Sequence, residues 1–185
     1  MNNNWNVVKL GKILDVENLI ESPPWERGMF KYWNNGNVEY IEQEQISGSL
    51  ARWMHPKYKE AFYIVKAAVE DVIKEKLYPT YYYDRFYFKN QELKKHTDRG
   101  SCEISVSLHI SSNIEYDWPI FFDVNGKEVS SSLKPGEGIL YKGIDIPHWR
   151  DKLIGNKDSY FHQIFFHYVR ANGDFLEYAY DRAKV

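Results

Sequence analysis

His96-Thr97-Asp98 and, some fifty positions on, Pro147-His148-Trp149 are the residues best placed to do chemistry in this chain. Residues two apart on a strand point to the same side, so an H-x-D tripeptide aims an imidazole and a carboxylate at one point. A second histidine from another strand would complete two nitrogen donors and one oxygen donor on a single face of an ion. The remaining coordination positions stay open, an arrangement suited to non-haem Fe(II). Of the six histidines, only His96 is followed two residues later by Asp or Glu, so the first pair is forced. An isolated H-x-D in a charged stretch such as Lys94–Gly100 is more often a surface loop. Here a strand precedes it, another follows it, and a Pro-His lies downstream after a turn and a further strand.

The elements that must position these residues are legible in outline. From Pro56 to Leu77, Phe62, Val65, Val69, Val72, Ile73 and Leu77 recur at steps of three and four. That spacing predicts an amphipathic helix, with Pro56 in its first turn and Pro79 just beyond its end. After Pro79 the chain reads as strands: Tyr81–Phe88, Glu103–Ile110, Pro119–Val124, Lys127–Ser132, Ile139–Tyr141 and a long one from Ser159 to about Arg170. Asn125-Gly126 is a hairpin turn signal, and Lys134-Pro135-Gly136-Glu137-Gly138 marks another turn. Earlier, short strands are expected at Trp5–Leu10 and Val38–Ile41, with turns at Ser22-Pro23-Pro24 and Asn34–Asn37. Several short strands separated by turns argue for a sandwich or jelly roll. The aromatic share, 17%, suits a β-rich core and also an aromatic-lined cavity.

Composition narrows the function classes. With 185 residues, 24 basic and 26 acidic side chains and one cysteine, the chain has room for one sizeable core and no internal disulfide. The charge balance gives no footprint for nucleic acid, which is not expected as a partner. The first residues lack a signal-peptide profile, and no apolar run approaches the length needed to span a bilayer. A cytoplasmic protein without a membrane partner is expected; oligomeric state is not legible.

Residues 80–170 resemble the double-stranded β-helix core of the 2-oxoglutarate- and Fe(II)-dependent oxygenases, the prolyl-hydroxylase-like branch most of all. Four features carry the resemblance: Tyr87, nine residues before His96; His96-Thr97-Asp98; Leu133–Tyr141, similar to the Pro-Gly-acid turn and apolar strand before the distal histidine; and His148 followed by Gly155-Asn156-Lys157. The resemblance implies a mainly β jelly roll with a supporting helix, one domain over 1–185. Residues 1–79 would form a helical and irregular support, 80–170 the core and 171–185 a tail. It implies His96, Asp98 and His148 as metal ligands, Lys157 and Tyr87 as the cosubstrate's partners, and Arg150 and Trp149 facing the substrate. If the Gly155–Asp158 turn points outward, Ser159, His162 or Arg150 would replace Lys157. The implied cofactors are Fe(II), with 2-oxoglutarate and O2 as cosubstrates and ascorbate as a candidate addition. The implied reaction is hydroxylation of an unactivated C–H bond, with succinate and CO2 as co-products. Its substrate would be a peptidyl residue, proline foremost, or a free amino acid or other small molecule. A metal-binding jelly roll without turnover is the rival reading. Two departures bear on the substrate more than the metal: Asp117–Phe122 stands where a Gly-Gly pair is common, and Leu93 stands where a tyrosine is typical. Of the remaining histidines, His109 reads as a packing residue and His55 as lying near the helix start; His162 and His167 lie near the sheet's end.

Overall fold

The computed structural model describes residues 5–23, 41–43 and 45–181. Two antiparallel sheets face each other. The larger contains β1 (Val7–Lys12), β2 (Ile41–Gln43), β3 (Ile46–Trp53), β4 (Leu77–Phe88), β6 (Ile104–Ser112), β9 (Glu137–Tyr141) and β11 (Tyr160–Arg170), in the order β1-β9-β6-β11-β4-β3-β2. The smaller contains β5 (Leu93–His96), β7 (Ile120–Val124), β8 (Lys127–Ser131) and β10 (His148–Arg150), in the order β5-β10-β7-β8. This is the jelly roll that the strand spacing predicts.

The one α-helix among the described residues, α1 (Lys59–Ile73), covers the outer face of the larger sheet. Phe62, Val65, Val69 and Ile73 recur at helical spacing and pack on Val106, Leu108, Ile164, Phe166 and Tyr168. Val72, expected in that stripe, is instead 43% exposed, because it falls a quarter-turn off the buried face. The helix stops earlier than its apolar spacing suggests. Lys74 adopts a left-handed conformation as the cap, and the Leu77 N–H donates to the Glu70 carboxylate, turning the chain into β4. Leu77 and Pro79, expected at and beyond the helix end, therefore belong to β4. Pro79 is tolerated there because the β4–β11 register shifts opposite it, between Phe166 and Tyr168.

The amino-terminal third contributes more than support. β1 pairs with β9, and β3 pairs with β4, so both are strands of the larger sheet. The expected strand over Val38–Ile41 lies outside the described residues except for Ile41, and so does the Asn34–Asn37 turn. β3 carries no strict alternation and was not expected; it is buried almost throughout, so both of its faces are apolar or paired. Asn125 and Gly126 both have positive φ, and Gly126 N–H donates to Asp123, as the β7–β8 hairpin requires. The carboxy-terminal residues dock back on the domain: Tyr180 lies against Tyr78, and Phe175 and Tyr178 close on Gly100 beside the H-x-D segment. Among the described residues, no helix is long and apolar enough to cross a membrane.

Candidate metal centre

β10 sits between β5 and β7, and its register places His148 directly opposite His96. The two imidazoles are therefore neighbours across the sheet, with ring centroids 4.4 Å apart. Asp98 follows the end of β5, and its position is held by the backbone: Asp98 N–H donates to the Gly143 carbonyl at 2.8 Å. Its Oδ1 lies 3.6 Å from His96 Nε2 and 3.7 Å from His148 Nε2. All three donor atoms fall within 4.8 Å of one another, close enough to share one ion. The expected ligand trio, His96, Asp98 and His148, is thus brought together.

The surrounding hydrogen bonds set which atoms face the ion. His96 Nδ1 lies 2.7 Å from the Lys94 carbonyl and His148 Nδ1 3.0 Å from the Ile146 carbonyl. A carbonyl can only accept, so both Nδ1 atoms carry the proton and both Nε2 lone pairs face the centre. The Gln45 amide lies 3.2 Å from His96 Nε2 and would yield that lone pair to an ion. On the carboxylate, Ser105 Oγ donates to Asp98 Oδ2, leaving Oδ1 for the metal. His167 Nδ1 stands 2.9 Å from Ser105 Oγ behind it.

Electrostatics agree with a site built to hold a cation. Burial works to raise the Asp98 pKa, but the His96 hydrogen bond and the nearby His148 and His167 bring it below the usual carboxylate range. Burial lowers His148, keeping its imidazole neutral and ligating. His96 is raised: burial opposes its charged form, and the bonds to Asp98 and the Lys94 carbonyl outweigh that. Its Nε2, like the Asp98 carboxylate, opens on a cleft of about 390 Å³ lined by Trp53, Tyr81, Tyr83, Arg99 and His167.

The other expected site residues separate. Tyr87 is buried on the sheet's inner face, its hydroxyl accepting from Arg85 Nη1 and its ring edge-on to Trp118. Arg150 is also buried, two residues past His148 on the same side of β10. Trp149 alternates to the opposite side, stacked on Phe121 with the Lys95 ammonium over its ring. It faces away from the metal ligands and does not line the cleft. Lys157 lies exposed in the turn before β11, since that strand begins only at Tyr160. The turn points outward and the Lys157 side chain is exposed, so the residue that the resemblance implies as the cosubstrate's partner does not line the cleft. Of its stand-ins, Ser159 is occupied by Asn156, and His162 bonds Asp84 within the outer layer. His109 is a packing residue, as expected, stacked on Phe161 with Nδ1 donating to the Leu133 carbonyl. His55 caps the turn leading into α1.

Sequence reasoning missed Arg85, Gln163, Ser105, His167 and Gly143. Alternation along Tyr81–Phe88 held a signal for the first: it puts Arg85 on one face with Tyr81, Tyr83 and Tyr87, and an arginine amid such a strand is a buried charge needing a reason. Alternation along the last strand likewise puts Gln163 and His167 on one face with Phe161 and Phe165. Ser105 and Gly143 touch the site only through the fold, and nothing local marks them.

No protein-family model matches the chain, and no curated protein matches it in sequence. Solved structures do match. A 2-oxoglutarate–Fe(II) oxygenase family oxidoreductase from Burkholderia pseudomallei aligns with TM-score 0.60 and 12% identity, over 74% of this chain and 74% of that one. A Trichoplax adhaerens prolyl hydroxylase, solved with a hypoxia inducible factor peptide fragment, aligns with TM-score 0.56 and 13% identity, over 90% and 84%. HygX of Streptomyces hygroscopicus, solved with nickel and 2-oxoglutarate, aligns with TM-score 0.55 and 10% identity, over 70% and 73%. Identities this low speak for the fold, and with the two facing sheets and the histidine–aspartate–histidine cluster at their mouth, the chain has the double-stranded β-helix fold of the 2-oxoglutarate–Fe(II) oxygenases, prolyl hydroxylases among them.

Proposed function

We propose that this protein is a 2-oxoglutarate- and Fe(II)-dependent dioxygenase that hydroxylates an unactivated C–H bond, with a peptidyl residue, proline foremost, as its substrate. The observation that carries the reading is the donor set itself: two Nε2 lone pairs and one carboxylate oxygen preset by backbone and side-chain bonds, with His96 and Asp98 lining a cleft. That set fits Fe(II), and His96, Asp98 and His148 would hold it. Bound iron with 2-oxoglutarate and O2 supplies the oxidising chemistry, giving succinate and CO2 beside the hydroxylated product.

The chain's own contribution is ligation, orientation and shelter. Ser105 and the Gly143 carbonyl keep Asp98 from rotating, so the carboxylate presents one oxygen. Trp53, stacked on Tyr81 at 4.1 Å with the Arg99 guanidinium over both rings, gives the cleft beside the ligands a wall that is aromatic and cationic together. Likeness to the Trichoplax enzyme, solved with a peptide fragment, supports the peptidyl class.

Anaerobic titration of the Fe(II) protein with 2-oxoglutarate tests the reading. A saturable visible charge-transfer band, lost in Asp98→Ala, together with slow decarboxylation of 2-oxoglutarate in air, is the expected result. Iron bound by folded protein with no band would sink the oxygenase assignment in favour of a metal-binding jelly roll without turnover.

A further inference from the structure

Arg99 directly follows the ligand Asp98, and the backbone is pinned on both sides of it. Asp98 N–H donates to the Gly143 carbonyl at 2.8 Å, and Cys102 N–H donates to the Arg99 carbonyl at 2.9 Å. Gly100, next in the chain, has no room for a side chain: a Cβ there would lie 2.6 Å from the Phe175 ring and 2.9 Å from that of Tyr178. Arg99 itself is extended, the residue before the short turn Gly100–Cys102. Its side chain therefore leaves the metal centre from a fixed point and lies exposed, lining the cleft.

The guanidinium has neighbours but no counter-charge. It lies 5.0 Å from the centre of the Tyr81 ring and 5.9 Å from that of Trp53. Its polar neighbours are the Tyr81 hydroxyl and the Cys102 thiol, both uncharged. Among the described residues no carboxylate pairs with it. Arg170, the other described arginine that reaches the surface, is by contrast held by Glu75 and Glu103. Of the charged residues lining the cleft, Asp98 is committed to the metal, which leaves Arg99 as the one permanent charge facing what fills it. A guanidinium only donates, and its planar fork matches a carboxylate. The rings beneath shield one of its faces from water, which strengthens a bond made at its edge.

We infer that Arg99 sets substrate specificity and that the substrate is an acidic peptide, whose carboxylate meets the Arg99 guanidinium while a neighbouring residue lies over the metal ligands. The inference rests on the oxygenase reading above and narrows its peptidyl class. Arg99 is one residue from Asp98, so the carboxylate belongs close to the reacting carbon. It is carried by the next side chain of the peptide, or by the chain end when the reacting residue is the last. An arginine that merely covered Tyr81 and Trp53 would be indifferent to the charge of the substrate.

The test is calorimetry on the full chain loaded with Mn(II) and 2-oxoglutarate under nitrogen, so that no turnover follows. Three matched pairs of probes are used. Blocked Ala-Pro-Asp-Ala against blocked Ala-Pro-Asn-Ala reads a side-chain carboxylate. Acetyl-Ala-Pro as free acid against its amide reads a chain end. Free proline against prolinamide reads an amino acid outside a peptide. In at least one peptide pair the acid should bind about five- to tenfold tighter than its neutral partner, the scale of one partly exposed charge-assisted bond; which pair shows it names the source of the carboxylate. Arg99→Gln should bring that acid to the level of its neutral partner and leave the neutral probe as in wild type. Arg99→Lys, which keeps the charge and loses the fork, should retain part of the preference. If Arg99→Gln fails to fold or to hold metal, Arg99→Lys replaces it, and an undiminished preference there overturns the assignment. So does a preference that survives Arg99→Gln, or a wild-type protein that treats acid and neutral peptide alike or binds neither. A preference confined to free proline overturns the peptide in favour of a free amino acid. Protein that holds Mn(II) but no 2-oxoglutarate refutes the oxygenase reading, a separate failure; the acid preference is then judged by the same criterion on the metal-loaded protein.

Discussion

Gly143 offers a way to disturb the metal centre without touching a ligand. A Cβ at this position would lie 2.3 Å from the Cys102 carbonyl oxygen, 2.5 Å from Asp98 Oδ2 and 2.7 Å from Ser105 Oγ. The Cys102 oxygen is backbone and cannot swing away. Ordinary contact begins near 3.4 Å, so the loop after β9 must withdraw by ~1.1 Å from the Cys102 oxygen, whatever the Asp98 carboxylate does. Withdrawal would take the Gly143 carbonyl away from the Asp98 N–H that it holds at 2.8 Å. That withdrawal displaces the one anionic ligand relative to His96 and His148. Gly143→Ala should therefore lower metal affinity by about ten- to hundredfold, the usual scale for losing a group that orients a ligand. Overpacking should also cost the metal-free fold about 1–3 kcal/mol. Calorimetric titration with Mn(II), beside urea unfolding of metal-free protein, separates the two effects. Trp149→Ala, on the outer side of β10, is the control and should stay within about twofold of wild type for metal. Wild-type Mn(II) affinity in a folded Gly143→Ala protein would show that Asp98 does not depend on this packing, and the account of how the site is held would be wrong.

Two further outcomes concern the scaffold. Asp84 is fully buried between Arg52, which bonds it through two nitrogens, and His162. Removing that carboxylate leaves Arg52 with only the part-exposed Glu21 as counter-charge and takes away the partner of His162, so Asp84→Ala should cost about 2–4 kcal/mol in urea unfolding; a cost under about 1 kcal/mol would mean that the network relaxes to water. His109 is held down to about 4 by burial, against 6.5 for the free side chain. Its contribution is complete above pH 6.5 and is lost as pH falls through 4, because the unfolded chain takes up the proton first. The full effect approaches about 3 kcal/mol. His109→Gln, which keeps a donor for the Leu133 carbonyl, should flatten that part of the stability–pH curve between pH 6.5 and 4. An unchanged slope in metal-free protein would assign the acid sensitivity to other groups.

Local information was enough for several things in this protein. Spacing of two placed His96 and Asp98 together, and apolar residues at helical steps marked the buried stripe of α1. Asn125-Gly126 needed only its own backbone preferences to make the β7–β8 turn. These features depend on periods and dihedrals within a few residues, and such information is written in order along the chain. The partner of His96 was visible as a type, a histidine after a Pro-Gly turn. His148 was the residue named, and that it stands directly opposite His96 follows from the β5–β10 register, which belongs to the sheet. The same limit explains the misplaced residues. Lys157 and Arg150 are both basic residues close after His148, and only the start of β11 decides that one is in solvent and the other in the core. Trp149 differs from its neighbours by a single step of alternation, which means nothing until the inward face of β10 is known. Ser105 and Gly143 reach Asp98 across the fold, through contacts that no window of sequence contains. Composition and period therefore determined the kind of fold and the kind of metal site. Tertiary structure alone decided which cation is buried beside that site, because burial is a property of the packed sheets and not of any one strand.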